Sequence, residues 1–165
     1  MAANRLPRLH GLPPVFDERA EVLILGSFPS AASLVAGQYY AHRQNQFWRI
    51  LGEVIGQPLR EMDYAARQAA VKAAGIAIWD VYASCEREGS LDTAIRDGVP
   101  NDFARLKKSA LALRRVCFNG GTAGRFARTL APLGLETLIL PSTSPANASW
   151  SYERKLAAWR AALRP

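Results

Sequence analysis

Four polar segments carry the side chains able to do chemistry, and each begins where an apolar run ends. The first, GSFPS (26–30), joins a glycine and two hydroxyls to a proline that fixes its own φ and lacks an N–H. That combination suits a rigid turn bringing backbone amides against a ligand. The second, YYAHRQNQFW (39–48), sets aromatic rings beside His42, Arg43 and Asn45. Rings interleaved with cations suit stacking on a base and pairing with phosphate. Trp48 is expected in the core of the helix that follows, and Phe47, at its start, is open between core and stacking face. The third segment, WDVYASCEREGSLD (79–92), places Asp80 inside an apolar run. A carboxylate there must be hydrogen-bonded or functional, because burying it bare is costly; the plainer alternative is an anchor for backbone N–H groups. The fourth, LPSTSPANASW (140–150), strings Ser142, Thr143, Ser144 and Asn147 around Pro145. Hydroxyls and amides in such a turn commonly hold phosphate oxygens.

Other chemistries find little support. The pattern Gly-x-x-x-x-Gly-Lys-Ser/Thr is absent, and Gly120, Gly121 and Gly124 match the dinucleotide fingerprint poorly, so no nucleotide cofactor is expected. The two cysteines, Cys85 and Cys117, are too few for a disulfide framework, and neither they nor His10 and His42 show metal-ligand spacing. The expectation is reduced thiols, no metal and no cofactor. Lys and Arg total 21 against 14 acidic residues, a net charge of +7 with a pI near 9.9, which attracts polyanions. Nucleic acid is the obvious candidate, although many basic proteins use arginine only for solubility. No apolar run approaches the roughly 20 residues of a membrane span, and the first residues lack the apolar block of a secretory signal. A cytoplasmic protein is expected.

The elements that must position these segments read as α/β. At 165 residues, 49% of them hydrophobic, with mean hydropathy −0.07, the chain can bury a full core. Apolar runs at 22–27, 75–82, 115–121 and 137–144 read as buried parallel strands. Helices are expected between them: Phe47 to Gly56, an Ala-rich stretch stopped by Gly75, one after an Asn101 cap, and one closing on Gly134. A last helix carries Tyr152, Leu156, Trp159 and Leu163 on one face, capped by Ser149 or Ser151. Alternation of this kind predicts a three-layer α/β/α sandwich with a central four-stranded parallel sheet. Ligands bind such sheets at the carboxyl ends of the strands, where all four polar segments fall. One domain is expected over 15–165, preceded by a loosely held Pro-rich segment over 1–14.

In this order the segments resemble the uracil-DNA glycosylase superfamily, most closely its hypoxanthine (deoxyinosine) branch, over nearly the whole chain after Val15. GSFPS stands where the superfamily has Gly-x-[Asp/Asn]-Pro-x against the target base. HRQNQFW echoes a His-Pro-x-Asn-x-Phe-Trp element through His42, Asn45, Phe47 and Trp48, and STSPAN (142–147) echoes a His-Pro-Ser-Pro-x-Asn motif. Two departures matter. Phe28 stands where a catalytic Asp or Asn is usual, and Ser142 stands where many relatives carry His. The resemblance therefore shifts the catalytic role to Asn45.

It implies a monofunctional DNA glycosylase, a monomer, acting on DNA that contains a deaminated base. Gly26, Ser27, Phe28, Phe47, Asp80 and Asn119 would form the base pocket, with Phe47 stacking on the base. Arg43, Arg87, Ser142, Ser144 and Asn147 would contact DNA. Dissociative cleavage of an N-glycosidic bond yields an oxocarbenium-like sugar and an anionic base, so the site must orient a water and stabilise that anion. The expectation is that the Asn45 carbonyl fixes the water. No Lys lies in the four segments, which disfavours a Schiff-base step. The rivals are a non-catalytic DNA-binding module of the same fold and a small-molecule nucleoside hydrolase or esterase. The esterase lacks its Gly-x-Ser-x-Gly elbow.

Overall fold

The computed structural model describes residues 6–163. Its strands are β1 (Arg8–His10), β2 (Val22–Gly26), β3 (Ile76–Asp80), β4 (Tyr82–Glu86), β5 (Arg96–Pro100), β6 (Arg115–Asn119) and β7 (Glu136–Leu140). The central sheet is parallel, in the order β3-β2-β6-β7, as expected. The helices are α1 (Ala31–Ala36), α2 (Phe47–Ile55), α3 (Tyr64–Ala73), α4 (Phe103–Ser109), α5 (Gly121–Gly124), α6 (Ala127–Leu130) and α7 (Tyr152–Leu163).

Successive side chains of a strand point to opposite faces, and β2 divides the core accordingly. Val22 and Ile24 pack with Phe47, Ile50 and Leu51 of α2, Val71 of α3, and Leu156 and Trp159 of α7. Leu23 and Leu25 pack on the other face with Phe103 and Leu106 of α4, Ala123 of α5 and Leu130 of α6. The result is the three-layer sandwich. Trp159 ties its helix to the functional end of the sheet. Its fully buried ring meets Phe47 edge-on at 6.0 Å, and its Nε1 donates to the carbonyl of Pro141 just beyond β7 at 2.9 Å.

A second sheet, β1-β4-β5, was not anticipated. It is antiparallel, and β1 pairs Arg8 with Glu86 and His10 with Ser84. The expectation of a loosely held segment up to residue 14 is therefore corrected for the described residues. Besides the β1 pairing, the Gly11 N–H donates to Ala83, and the Tyr39 hydroxyl lies 2.8 Å from the Pro13 carbonyl. Residues 1–5 and 164–165 of the expected segments lie outside the described residues.

Three local expectations also change. The helix foreseen up to Gly134 is broken into α5, α6 and a 3-10 turn at Ala131–Leu133, where Pro132 removes a donor. Asp102, not Asn101, caps α4 by accepting from the Arg105 N–H, while Asn101 Nδ2 donates to the Asp80 carbonyl at 2.7 Å. Of the two serines offered as caps for α7, Ser151 accepts from the Arg154 N–H.

Trp159→Ala is expected to cost about 3–5 kcal/mol, the range for losing a large buried ring. Trp159→Phe, which keeps an aromatic ring against Phe47 but drops the Pro141 hydrogen bond, should cost distinctly less. Urea unfolding of both variants checks the order.

Candidate active site

The chain passes from β2 to β3 on one side and later returns to place β6 on the other, so β2 lies beside a topological switch point. At its carboxyl end opens a cavity of about 690 Å³. Gly26 to Ser30, Tyr40, Asn45, Asp80, Asp92 and Asn119 line it together with the 140–147 turn.

Thr143 is the hub that holds the walls together. It is fully buried, its Oγ1 donates to Asn45 Oδ1 at 2.8 Å, and it accepts from Asn119 Nδ2 at 3.0 Å. Its N–H donates to Asn119 Oδ1 at 2.9 Å, and its carbonyl accepts from the Gln46 N–H at 3.1 Å. Asn45 Oδ1 also accepts from the Phe47 N–H at 3.0 Å, closing an Asx turn at the start of α2. Both lone pairs of that carbonyl are thus engaged. The expectation that it holds water is corrected: the atom Asn45 has left to offer is its Nδ2, a donor.

Tyr40 faces the cavity on the same loop. Its backbone sits at φ 53°, a left-handed conformation uncommon outside glycine and asparagine, as residues at binding sites often do. The ring stacks on Phe47, with centroids 3.9 Å apart and planes 21° from parallel, and the hydroxyl accepts from Asn119 Nδ2 at 3.2 Å. Phe47 has no exposed surface and does not line the cavity, so its assignment as the base-stacking ring is corrected. It supports Tyr40 from beneath, and Tyr40 is the ring a base could meet. Trp48 is core, as expected, with Nε1 donating to the Tyr39 carbonyl.

Asp80 closes β3 at the cavity floor. It is 4% exposed, and its Oδ2 has no hydrogen-bond partner. Burial, reinforced by the negative charge of Asp92 and opposed by Arg87, pushes its carboxyl up to about 7. Tyr39, Tyr40 and Tyr64 also lie within its field, and burial raises the phenol of each. Gly26 is required here: a Cβ would stand 2.6 Å from Asp80 Oδ1 and 2.9 Å from the Tyr40 hydroxyl. Asp92 turns its carboxyl inward to accept from Ser27 Oγ at 3.0 Å. Burial of that group raises its pKa, against the opposing pull of Ser27 and Arg87.

Arg87 does not present itself to phosphate, and that expectation is corrected. It is buried behind the 26–30 turn, where Nη2 donates to the Pro29 carbonyl and the guanidinium lies 5.3 Å from the Phe28 ring centroid. Nε and Nη1 are buried without partners, and burial lowers its pKa. The opposite wall is self-supporting. Ser142 Oγ accepts from the Ser144 N–H, Ser144 Oγ from the Ala146 N–H, and Asn147 Nδ2 donates to the Ser142 carbonyl. Gly120, at φ 100°, lets this turn approach, since a Cβ there would stand 3.1 Å from Ser142 Cβ. Among the described residues no three His, Cys, Asp or Glu gather as a metal site.

The family model described as the uracil DNA glycosylase superfamily matches residues 13–164. The chain belongs to the uracil DNA glycosylase superfamily. It is 44% identical over 154 residues to proteins named hypoxanthine DNA glycosylase in Methanosarcina acetivorans and Methanosarcina barkeri, covering 93% of this chain and 97% of each relative. A solution NMR structure from Methanosarcina acetivorans, named for uracil DNA glycosylase, superposes with a TM-score of 0.87. It is 42% identical and covers 96% of this chain and 98% of its own.

Within this glycosylase fold, Gly26, Ser27, Phe28, Asn45, Asp80, Asn119, Ser142, Ser144 and Asn147 all reach the one cavity. Arg43 lines a neighbouring cleft instead, and Phe47 and Arg87 lie behind the walls. Thr143, Tyr40 and Asp92 carry structural weight that the sequence did not isolate. All three stood inside quoted segments, but only the pairing of distant loops distinguishes them from their neighbours.

Thr143→Val keeps shape but strips a donor from Asn45 and an acceptor from Asn119. It is expected to destabilise the protein by about 1–3 kcal/mol, the cost of leaving buried polar groups unpaired. Base-release activity should fall with it, and Thr143→Ser should restore most of both. Thermal melts together with a single-turnover assay check this.

Proposed function

We propose that this protein is a monofunctional DNA glycosylase that excises hypoxanthine flipped out of DNA, with uracil and xanthine as secondary substrates. The reading is supported most by one observation: a cavity of about 690 Å³ at the switch point, ample for a flipped base, whose floor carries the buried Asp80 carboxyl and whose loop wall carries Asn45 and the Tyr40 ring. The relatives' names point the same way. It acts as a monomer in the cytoplasm; no described helix is long and apolar enough to cross a membrane.

Deaminated bases share a lactam edge, a ring carbonyl beside a ring N–H. A neutral carboxylic acid matches it, donating its O–H to the carbonyl and accepting from the N–H, whereas a carboxylate would repel the carbonyl. Asp80 holds its proton to about pH 7 and is placed to read this edge. The same acid would match adenine in the reverse sense, so rejection of normal bases rests on the greater cost of extruding a well-paired base. Tyr40 stacks on the extruded base. Asn45 Nδ2 then donates to the departing base as negative charge develops, a role that partly replaces the histidine absent at Ser142. The oxocarbenium-like sugar is electrophilic enough to be captured by water entering the open cavity.

Duplex oligonucleotides carrying a single inosine, uracil or xanthine, incubated with the protein and then treated with alkali, test the reading. Strand cleavage at the lesion is expected. Tight binding without base release would favour the non-catalytic module, and release from free nucleosides would favour the nucleoside hydrolase.

Asn45→Ala should slow single-turnover hypoxanthine excision by about a hundredfold or more, typical for loss of one positioned donor, with DNA affinity little changed. Asn45→Asp should lose at least as much, because it places an acceptor where a donor is needed. Near-normal excision by Asn45→Asp would return the residue to a water-holding role.

The Asp80 carboxyl carries a pH prediction. Excision should fall as pH rises through about 7, where the acid ionises. Asp80→Asn, with a fixed donor and acceptor, should work more slowly but without that fall. The folded state keeps a proton that the unfolded chain releases near the ordinary carboxyl value, so the contribution of Asp80 to stability declines from about pH 4 to about 7 and then levels off. Asp80→Asn should therefore gain stability relative to wild type across that window, as read by melting curves.

A further inference from the structure

Beyond the Tyr40–Gln46 loop lies a second cleft, of about 400 Å³. Tyr40, His42 and Asn45 line both this cleft and the active-site cavity, so a single loop forms the wall between them. The rest of the lining is strongly basic, with Arg43, Arg49, Arg60 and Arg67 and no carboxylate. Arg67 belongs to the fold: its guanidinium donates to the carbonyls of Leu59, Arg60 and Met62 and lies over the Trp48 ring. The other three differ. Arg49 lies 3.8 Å over the Tyr152 ring centroid, a stacking that holds the guanidinium plane and leaves its N–H edge for a ligand. Arg43 and Arg60 are exposed, and none of the three has an ion pair or a side-chain hydrogen bond among the described residues.

His42 adds a donor. Its Nδ1 accepts from the Gln44 N–H at 3.2 Å, which puts the proton of the neutral ring on Nε2. A lining that gathers four arginines and no carboxylate stores repulsion that Glu61, acting on Arg67 from outside the cleft, only partly offsets and that an anionic ligand relieves. Planar guanidiniums suit phosphate oxygens in particular.

We propose that this cleft is a phosphodiester groove that carries the lesion-containing DNA strand away from the flipped nucleotide, with Arg43, Arg49 and Arg60 as its phosphate ligands. The strand identity rests on the glycosylase reading above: the cleft shares a wall with the cavity that would seat the flipped nucleotide, so it adjoins the phosphates flanking that nucleotide. The groove itself rests only on the cleft's charge and geometry. A free phosphate ion has the same chemistry, so the test includes it.

The experiment compares wild type with the double variant Arg49→Ala/Arg60→Ala, with Arg43→Ala, and with Arg114→Ala as a control. Arg114 sits beside Glu21 at the amino end of the sheet, away from the cavity, and its loss removes the same unit charge. Affinity for undamaged and inosine-containing duplexes is measured across a salt series. The double variant should bind both duplexes at least tenfold more weakly at low salt. Its log–log salt slope should flatten by about 0.9 per arginine removed, and Arg43→Ala should lose about one such step. Arg114→Ala should keep the wild-type slope.

Wild-type slope and affinity in both cleft variants would overturn the groove, as would an equal loss in Arg114→Ala. Inorganic phosphate alone is added in a parallel melting experiment. If it raises the melting temperature of wild type but not of the double variant, while duplex affinity stays unchanged, the cleft is a free-anion site and the proposal fails. Because the readout is binding to DNA, an absence of base release by every protein, wild type included, would refute the glycosylase reading while a flattened slope still supports the groove.

Discussion

The active site depends on one buried hydroxyl. Thr143 donates to Asn45 and accepts from Asn119, and its backbone groups bond the same asparagine and Gln46. Through it the loop after β2, the end of β6 and the turn after β7 become one rigid unit, although Thr143 and Asn45 stand 98 residues apart in sequence. A site built on three loops is ordinarily loose, and loops tolerate change because little holds them. Here Thr143, Asn119 and the Asn45 carbonyl satisfy one another, which fixes the orientation of Asn45 and leaves its Nδ2 without a protein partner among the described residues. A fully satisfied buried network of this kind rigidifies its surroundings more than its separate bonds suggest.

Electrostatics around the cavity run against stability. Asp80 and Arg87 are buried and lie within the field of the more exposed Asp92, yet no direct ion pair forms among the three, and Asp80 and Arg87 each keep polar atoms without partners. Such groups would be stabilising only if paired well. Asp80 lines the cavity, where a ligand's polar edge can supply a partner, whereas Arg87 lies behind the turn. Arg87, buried behind the 26–30 turn, holds that turn through Pro29 and Phe28 and places positive potential beneath it.

The aromatic layer shows why position in a motif does not equal position in a site. From the cavity inward, Tyr40 stacks on Phe47, and Phe47 meets Trp159 edge-on. In sequence Phe47 stands two residues from Asn45 and invites a contact role. Helical geometry turns it into the core instead, while Tyr40, strained into a left-handed backbone, is carried to the surface of the stack. The hydrophobic core thus extends up to the ligand cavity and supports its face.

By itself the sequence determined the layer architecture, because strands such as VLILG must be buried on both faces and amphipathic helices must cover them. It also determined that GSFPS, Asn45, Asp80, Asn119 and the STSPAN turn lie at one end of the sheet, since carboxyl ends of parallel strands converge. It did not disclose the second sheet, whose strands RLH, YASCE and RDGVP lack an apolar alternation and are joined by backbone pairing and by the Arg8 side chain, which donates to Ser84 Oγ and to the Asp97 carbonyl. Nor did it reveal which oxygen of each polar motif is free. Only tertiary structure decided that the Asn45 carbonyl is occupied, that Arg87 is buried, that Tyr40 covers Phe47, and that Thr143 joins three loops. Those outcomes depend on contacts between residues far apart in the chain, and local propensity and spacing carry no record of which distant group will meet them.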